Sequence, residues 1–99
     1  MRLAAEQIAC IREVVRQEAG PDARVRVFGS RLDDARRGGD VDLLVELDRA
    51  VTNPAWLAAR ISARVTRAMH GREVDVVVSA PNLARSAVHA VAEREGRLL

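Results

Sequence analysis

Two aspartates separated by one residue are the side chains of this sequence best suited to chemistry. They are Asp40 and Asp42, and the apolar run Leu43-Leu44-Val45 follows them. Side chains alternate between the two faces of a β-strand, so both carboxylates would lie on one face. Two carboxylates at this spacing repel each other unless a cation lies between them, and Mg²⁺ prefers such oxygen ligands. The spacing therefore predicts a magnesium site at the start of a strand.

A short charged loop separates these aspartates from a glycine and a serine. Gly29 lets the backbone approach a phosphate chain without a Cβ in the way, and Ser30 offers its hydroxyl and N–H to phosphate oxygens. Arg31 brings a guanidinium group whose geometry matches a phosphate, although Arg36 or Arg37 of the same loop could take this role instead. Together with the predicted metal, the loop indicates a nucleotide-binding site.

The order of these residues is similar to the Gly-Ser…Asp-x-Asp signature of the DNA polymerase beta-like nucleotidyltransferase superfamily. Gly29-Ser30 is followed by nine residues and then by Asp40-Val41-Asp42. At 99 residues, the chain resembles the minimal nucleotidyltransferases (MNT proteins), many of which are antitoxin-type partners of small helical HEPN proteins. It departs from the usual motif at Gly39, where the family often has a serine before the first aspartate.

The resemblance implies a third carboxylate on a later strand, and Asp75 supplies it. Asp40 and Asp42 would then hold the nucleotide-bound Mg²⁺ of a two-metal site, whose second ion Asp75 would share with one or both of them. Asp75 would also help to take the proton from the attacking hydroxyl. The implied reaction is transfer of AMP from ATP to an acceptor hydroxyl, with a tyrosine of a HEPN-type partner toxin as the acceptor that the resemblance suggests.

Six elements are predicted to position this site within a single domain, residues 1–99. Asn53 could cap the second helix, with Pro54 at its first position. The first two strands are too close in sequence for a crossover helix and should pair antiparallel, whereas a helix joins the second and third strands, which should be parallel. The fold class is α/β (α+β), a small mixed sheet with helices mainly on one face. The predicted helices are 3–19, 54–70 and 83–95, and the predicted strands are 24–28, 40–47 and 72–79.

Simpler interpretations of the same residues remain open. Asp40 and Asp42 could be two solvated acids after a Gly-Gly turn, and Gly29-Ser30 could be an ordinary turn. Glu46 shares the strand face of the two aspartates, but it lies two pleats further on and is not included among the metal ligands. An acid such as Asp75, within a valine-rich strand, needs a partner or a metal.

Composition excludes several classes of partner. The sixteen basic residues are all arginines, but fourteen acids reduce the formal charge to +2, so no basic track for nucleic acid is expected. No apolar run reaches the roughly 18–20 residues that span a bilayer, and the N-terminal helix is charged throughout. A cytoplasmic protein without membrane contact is expected. Trp56, beside the aliphatic stripe of the second helix, is expected in the core or at a partner surface.

Three classes of function are consistent with these features. The first is a Mg²⁺-dependent adenylyltransferase acting on a partner protein, in a toxin–antitoxin pair. The second is an inactive antitoxin or binding module that acts by docking alone. The third is a subunit of a small-molecule transferase similar to the aminoglycoside nucleotidyltransferases, which is expected to need a further acceptor-binding domain. The acceptor site is expected to come from a partner or from a second copy in a homo-oligomer.

Overall fold

The structure, a computed structural model, describes residues 3–28 and 41–99, and within them a four-stranded sheet with three helices. None of these helices is both long enough and apolar enough to cross a bilayer. The helices are α1 (Ala5–Ala19), α2 (Pro54–Ala68) and α3 (Ala87–Glu95), and the strands are β1 (Arg24–Phe28), β2 (Val41–Glu46), β3 (Val74–Ser79) and β4 (Arg97–Leu98).

The strand order is β3-β2-β1-β4, which makes β2 a central strand. It pairs antiparallel with β1 and parallel with β3, as the connection lengths predict. The fold class is confirmed: the sheet is mixed and small. Strand β4, which pairs antiparallel with β1 through only two residues, was not predicted from the sequence. An element that short has no periodicity from which it could be recognised.

The main core lies between the sheet and the helices α1 and α2. On β2, the side chains of Val41, Leu43 and Val45 are completely buried in it. Ile11 of α1 and Ile61 of α2 contribute from the helical layer and are equally buried. Because alternate residues of a strand face opposite sides, this burial directs Asp42, Leu44 and Glu46 to the other face of the sheet.

The third helix covers part of that other face. Ala92 of α3 packs with Phe28 and Leu44 in a second, smaller apolar cluster, against which Val77 is partly buried. Two helices therefore lie on one face and one on the other, in agreement with the predicted arrangement. Tight packing at the end of α3 brings the Gly96 position close to backbone oxygen, since a Cβ there would lie 2.2 Å from the carbonyl oxygen of Ala92.

Helix boundaries follow local hydrogen bonds. The predicted cap of α2 is confirmed: Oδ1 of Asn53 accepts a hydrogen bond from the backbone N–H of Trp56 at 3.1 Å. The predicted start of the last helix at Leu83 is wrong, because α3 begins at Ala87. Asn82 exchanges two hydrogen bonds with the backbone of Val51, at 2.8 and 2.9 Å, and these tie its segment to the loop after β2.

Candidate functional site

Two acidic residues lie side by side where β2 and β3 begin. Asp42 is the second residue of β2 and Asp75 the second residue of β3, and the two are partners in the parallel register. Neighbouring strands lie about 4.8 Å apart, and side chains at paired positions lie on the same face. The predicted convergence of Asp42 and Asp75 is therefore present in the structure.

The register that brings these carboxylates together is fixed by the core. A shift of β2 by one residue would turn Val41 and Leu43, both completely buried, towards the opposite face. Val74, beside Asp75, is also buried and faces the main core. The hydrophobic effect on one face of the sheet thus places the two carboxylates on the other.

The end of β1 completes this edge of the sheet. Since β1 is antiparallel to β2, its last residue, Phe28, pairs with Asp42. Phe28, Asp42 and Asp75 therefore form one row across three strands, and the next row contains Leu44 and Val77. The carboxylates lie beside the apolar Phe28–Leu44–Ala92 cluster. Phe28 was not predicted as a neighbour of the site, because the register between strands cannot be read from one strand.

Four of the six predicted site residues lie outside the described part of the chain. They are Gly29, Ser30, Arg31 and Asp40. In the sequence, Gly29 follows Phe28 directly, and Asp40 directly precedes Val41. The chain thus enters and leaves the undescribed segment at residues of the edge that carries Asp42 and Asp75.

The carboxylate oxygens of Asp42 and Asp75 are suitable ligands for a hard divalent cation. Asp42 is partly buried and Asp75 is exposed, so a cation bound between them would keep contact with water. Mg²⁺ is usually bound by one or two carboxylates, together with waters and substrate phosphates, and this pair offers that number. Within residues 3–28 and 41–99, no three His, Cys, Asp or Glu side chains form a group that could hold a metal. Asp42 and Asp75 are therefore the described residues that could contribute carboxylates to a metal site.

Acids at the opposite end of the sheet have arginine partners. Glu46 accepts a hydrogen bond from Nε of Arg26 at 2.7 Å, and its side chain is only 12% exposed. Arg24 donates two hydrogen bonds to the carboxylate of Asp48, and they lower the pKa of that group. Glu46 was not among the predicted metal ligands, and its ion pair with Arg26 gives it a structural role.

Two histidines and a tryptophan lie away from the carboxylate pair. His89 is buried, where its Nδ1 accepts the backbone N–H of Ser86 at 3.0 Å and its Nε2 lies 3.1 Å from the carbonyl oxygen of Val78. His70 is exposed at the end of α2, in a left-handed conformation with φ 59°. Trp56 is exposed on α2.

Comparison with known proteins identifies the family of the chain. No curated protein matches the chain. The family model described as "Nucleotidyltransferase domain" matches residues 8–96, a range that contains every predicted site residue. This match covers most of the chain and confirms the superfamily to which the Gly-Ser…Asp-x-Asp pattern is similar. The chain belongs to the nucleotidyltransferase domain family.

Proposed function

We propose that this protein transfers AMP from ATP to the hydroxyl group of an acceptor, with Mg²⁺ as the cofactor. Membership of the nucleotidyltransferase domain family supports nucleotidyl transfer in general. The observation that carries the proposal is the pairing of Asp42 with Asp75 at the start of two neighbouring parallel strands. Two carboxylates held in register form the kind of ligand set that binds Mg²⁺ and a nucleotide together.

The bound metal would polarise phosphoryl oxygens and neutralise the charge that develops on them. Asp42, together with Asp40, would hold the nucleotide-bound ion, and Asp75 would share a second ion with them. Gly29, Ser30 and Arg31 would bind the phosphates of ATP. These roles for Asp40 and the Gly-Ser loop rest on the motif alone, whereas those of Asp42 and Asp75 also have the strand register behind them.

The proposed step is a displacement at the α-phosphorus of ATP. The acceptor oxygen forms a bond to the α-phosphorus of ATP, and the bond between that phosphorus and the bridging oxygen to the β-phosphate breaks. Pyrophosphate leaves with the electron pair of the broken bond. Asp75 takes the proton of the acceptor hydroxyl, a role for which its exposed position is suited, since an acceptor must approach from solvent.

The acceptor that we propose is a protein, a small helical HEPN-type partner modified on a tyrosine, with this chain as its antitoxin. The support for this finer proposal is the resemblance of the motif and its spacing to the minimal nucleotidyltransferases. The alternative is neutralisation of the partner by docking, without chemistry. A variant that cannot bind the metal separates the two, because docking does not need the carboxylates.

The experiment is a label-transfer assay with ATP labelled at the α-phosphate, with Mg²⁺ or with EDTA. The acceptors are the protein alone and a mixture with a small helical HEPN-type protein. We expect Mg²⁺-dependent labelling of the partner by the wild type and none by Asp42→Asn or Asp75→Asn. The matched control is Asp48→Asn, which removes an acid at the opposite end of the sheet. Neutralisation of the partner by Asp75→Asn without any labelling would overturn the enzymatic proposal in favour of docking.

A further inference from the structure

The exposed face of α2 carries an aromatic side chain that the core does not use. Trp56 is the single tryptophan of the chain, and 61% of its surface is exposed. One to three turns further along the helix, Arg60, Ala63 and Arg67 follow on the same side, and all are exposed. We propose that this surface, the Trp56 face, binds an acidic amphipathic segment of a partner protein.

The Trp56 face is ordered by an ion pair beneath it. The guanidinium carbon of Arg60 lies 5.6 Å from the centre of the Trp56 ring, within the range of a cation–π contact. Nε and Nη2 of the same guanidinium donate hydrogen bonds to the two carboxylate oxygens of Glu18 on α1, at 2.8 and 3.2 Å. Glu18 is only 11% exposed, and Arg64 donates to it as well, at 2.9 Å. The tryptophan and arginine are therefore held in place before any partner binds.

Ordered tryptophan and arginine side chains are the residues that dominate the binding energy of protein interfaces. Holding them in the bound arrangement reduces the entropy that is lost on association. Among the described residues, Nη1 of Arg60 has no hydrogen-bond acceptor, and the side chain is 48% exposed. It can therefore donate to a carboxylate of a partner while the ring contacts an apolar side chain.

Charge selects the class of partner. Helix α2 carries three arginines and no acidic residue. Two of these arginines share the single carboxylate of Glu18, so the surface keeps a net positive charge. Two copies of this chain that met through α2 would bring like charges together. A nucleic acid contacts a track of several cations, whereas the Trp56 face carries two arginines, Arg60 and Arg67. A protein segment with apolar residues flanked by carboxylates fits the Trp56 face best.

The Trp56 face lies away from the paired aspartates. Ile61 and Val65 of α2 pack in the main core on one side of the sheet, whereas Asp42 and Asp75 face the other side. The chain enters α2 from the end of β2, and the aspartates lie at the start of that strand. Binding at the Trp56 face therefore leaves the carboxylates accessible. The inference does not rest on the proposed chemistry.

The experiment measures fluorescence anisotropy of labelled peptides added to the full chain. The probe is an amphipathic helical peptide of about five turns, with a leucine stripe flanked by glutamates. Its matched control has lysines in place of the glutamates. We expect the glutamate peptide to bind at least about tenfold more tightly than the lysine peptide, because like charges across an interface oppose binding. Trp56→Ala and Arg60→Ala should each weaken it at least about tenfold, as loss of a dominant interface residue does.

Val88→Ala is the control variant. Val88 is an exposed apolar residue of α3, 40% exposed, on the opposite side of the sheet, and its removal should leave peptide binding unchanged. Mg²⁺-dependent ATP binding by Trp56→Ala, measured in parallel, should equal that of the wild type. A failure of ATP binding in every protein would contradict the proposed chemistry but not this inference.

Three results with the peptides, and either of two further results with a different occupant, would overturn the inference. The peptide results are no binding of the glutamate peptide, equal binding of both peptides, and unchanged binding by Trp56→Ala. Tighter binding of a labelled single-stranded oligonucleotide would assign the Trp56 face to nucleic acid. Association of the protein with itself in sedimentation, lost in Trp56→Ala, would likewise assign it to a second copy.

Discussion

Strand β2 carries one acid near each end of the same sheet face, and the neighbours of the two acids differ. Glu46 pairs in register with Arg24 and binds Arg26, whereas Asp42 pairs with Phe28 on one side and with Asp75 on the other. Among the described residues, no arginine forms an ion pair with Asp75. The arginines beside Glu46 compensate its charge, so Glu46 stabilises the fold. At the other end of β2, two carboxylates lie side by side, which is the arrangement expected of a cation site.

The largest expected effect that tests this comparison is the loss of activity in Asp75→Asn. The amide keeps the shape of the side chain and removes the charge that would help to hold Mg²⁺. Because metal stabilisation of the transition state contributes several kcal/mol, we expect label transfer to fall by at least about a thousandfold. The measurement is the initial rate of transfer from ATP at saturating Mg²⁺. A rate within about tenfold of the wild type, about 1.4 kcal/mol of barrier, would show that Asp75 lies outside the site.

Removing the charge of Glu46, at the other end of β2, should lower stability and leave activity unchanged. Glu46→Gln leaves Arg26, whose side chain is 27% exposed, without its charged partner. Because the glutamine oxygen can still accept the hydrogen bond of Arg26, we expect the free energy of unfolding to fall by about 1 kcal/mol, the difference between a hydrogen bond to a charged group and one to a neutral group. Urea denaturation measures it. The rate of label transfer should be unchanged, and a rate that fell as far as in Asp75→Asn would remove the distinction between the two ends.

A smaller effect concerns the stability of Asp75→Asn itself. Without metal, removal of one of two like charges that are neighbours across paired strands should raise the free energy of unfolding by about 0.2–1 kcal/mol. Saturating Mg²⁺ should stabilise the wild type and leave the variant unchanged, since binding to the folded state alone raises stability. Thermal denaturation with Mg²⁺ and with EDTA measures both. Destabilisation of the variant in EDTA would mean that Asp75 contributes to the fold in the way that Glu46 does.

The smallest expected effect is the pH dependence that Glu18 contributes. Hydrogen bonds from Arg60 and then Arg64 lower the pKa of this carboxyl in the folded state. A lowered pKa means that the stabilisation is present above the unfolded value of about 4.3 and is lost as the pH falls through the folded value. The melting temperature of Glu18→Gln should therefore fall less between pH 7 and pH 3 than that of the wild type. An equal fall in both proteins would contradict the assignment.

Much of the carboxylate end could be predicted from the sequence, because its determinants are local. Alternation along β2 placed Asp42 opposite Val41 and Leu43, and the helix between β2 and β3 predicted the parallel pairing that brings Asp75 alongside. The other end could not be predicted in the same way. Whether Glu46 meets an arginine depends on the register of β1, which the core sets through contacts between distant residues.

Elements at the end of the chain were predicted less well, for a similar reason. Helix α3 begins after Ser86, whose backbone N–H donates to Nδ1 of His89. The segment before it is held by two hydrogen bonds between Asn82 and the backbone of Val51, which is 31 residues away in sequence. The short strand β4 depends on the exposed edge of β1. The predicted roles of Gly29, Ser30, Arg31 and Asp40 fall outside the described residues and stay predictions.

The most direct test of the central claim is a double-mutant cycle on ATP binding. Isothermal titration calorimetry measures the Mg²⁺-dependent affinity of the wild type, Asp42→Asn, Asp75→Asn and the double variant. If the two carboxylates bind one metal–nucleotide unit, each single change should weaken binding at least about tenfold, and the double change should cost clearly less than the sum of the two. Losses of binding free energy that add in the double variant would contradict a shared site. Wild-type affinity in either single variant would contradict it as well.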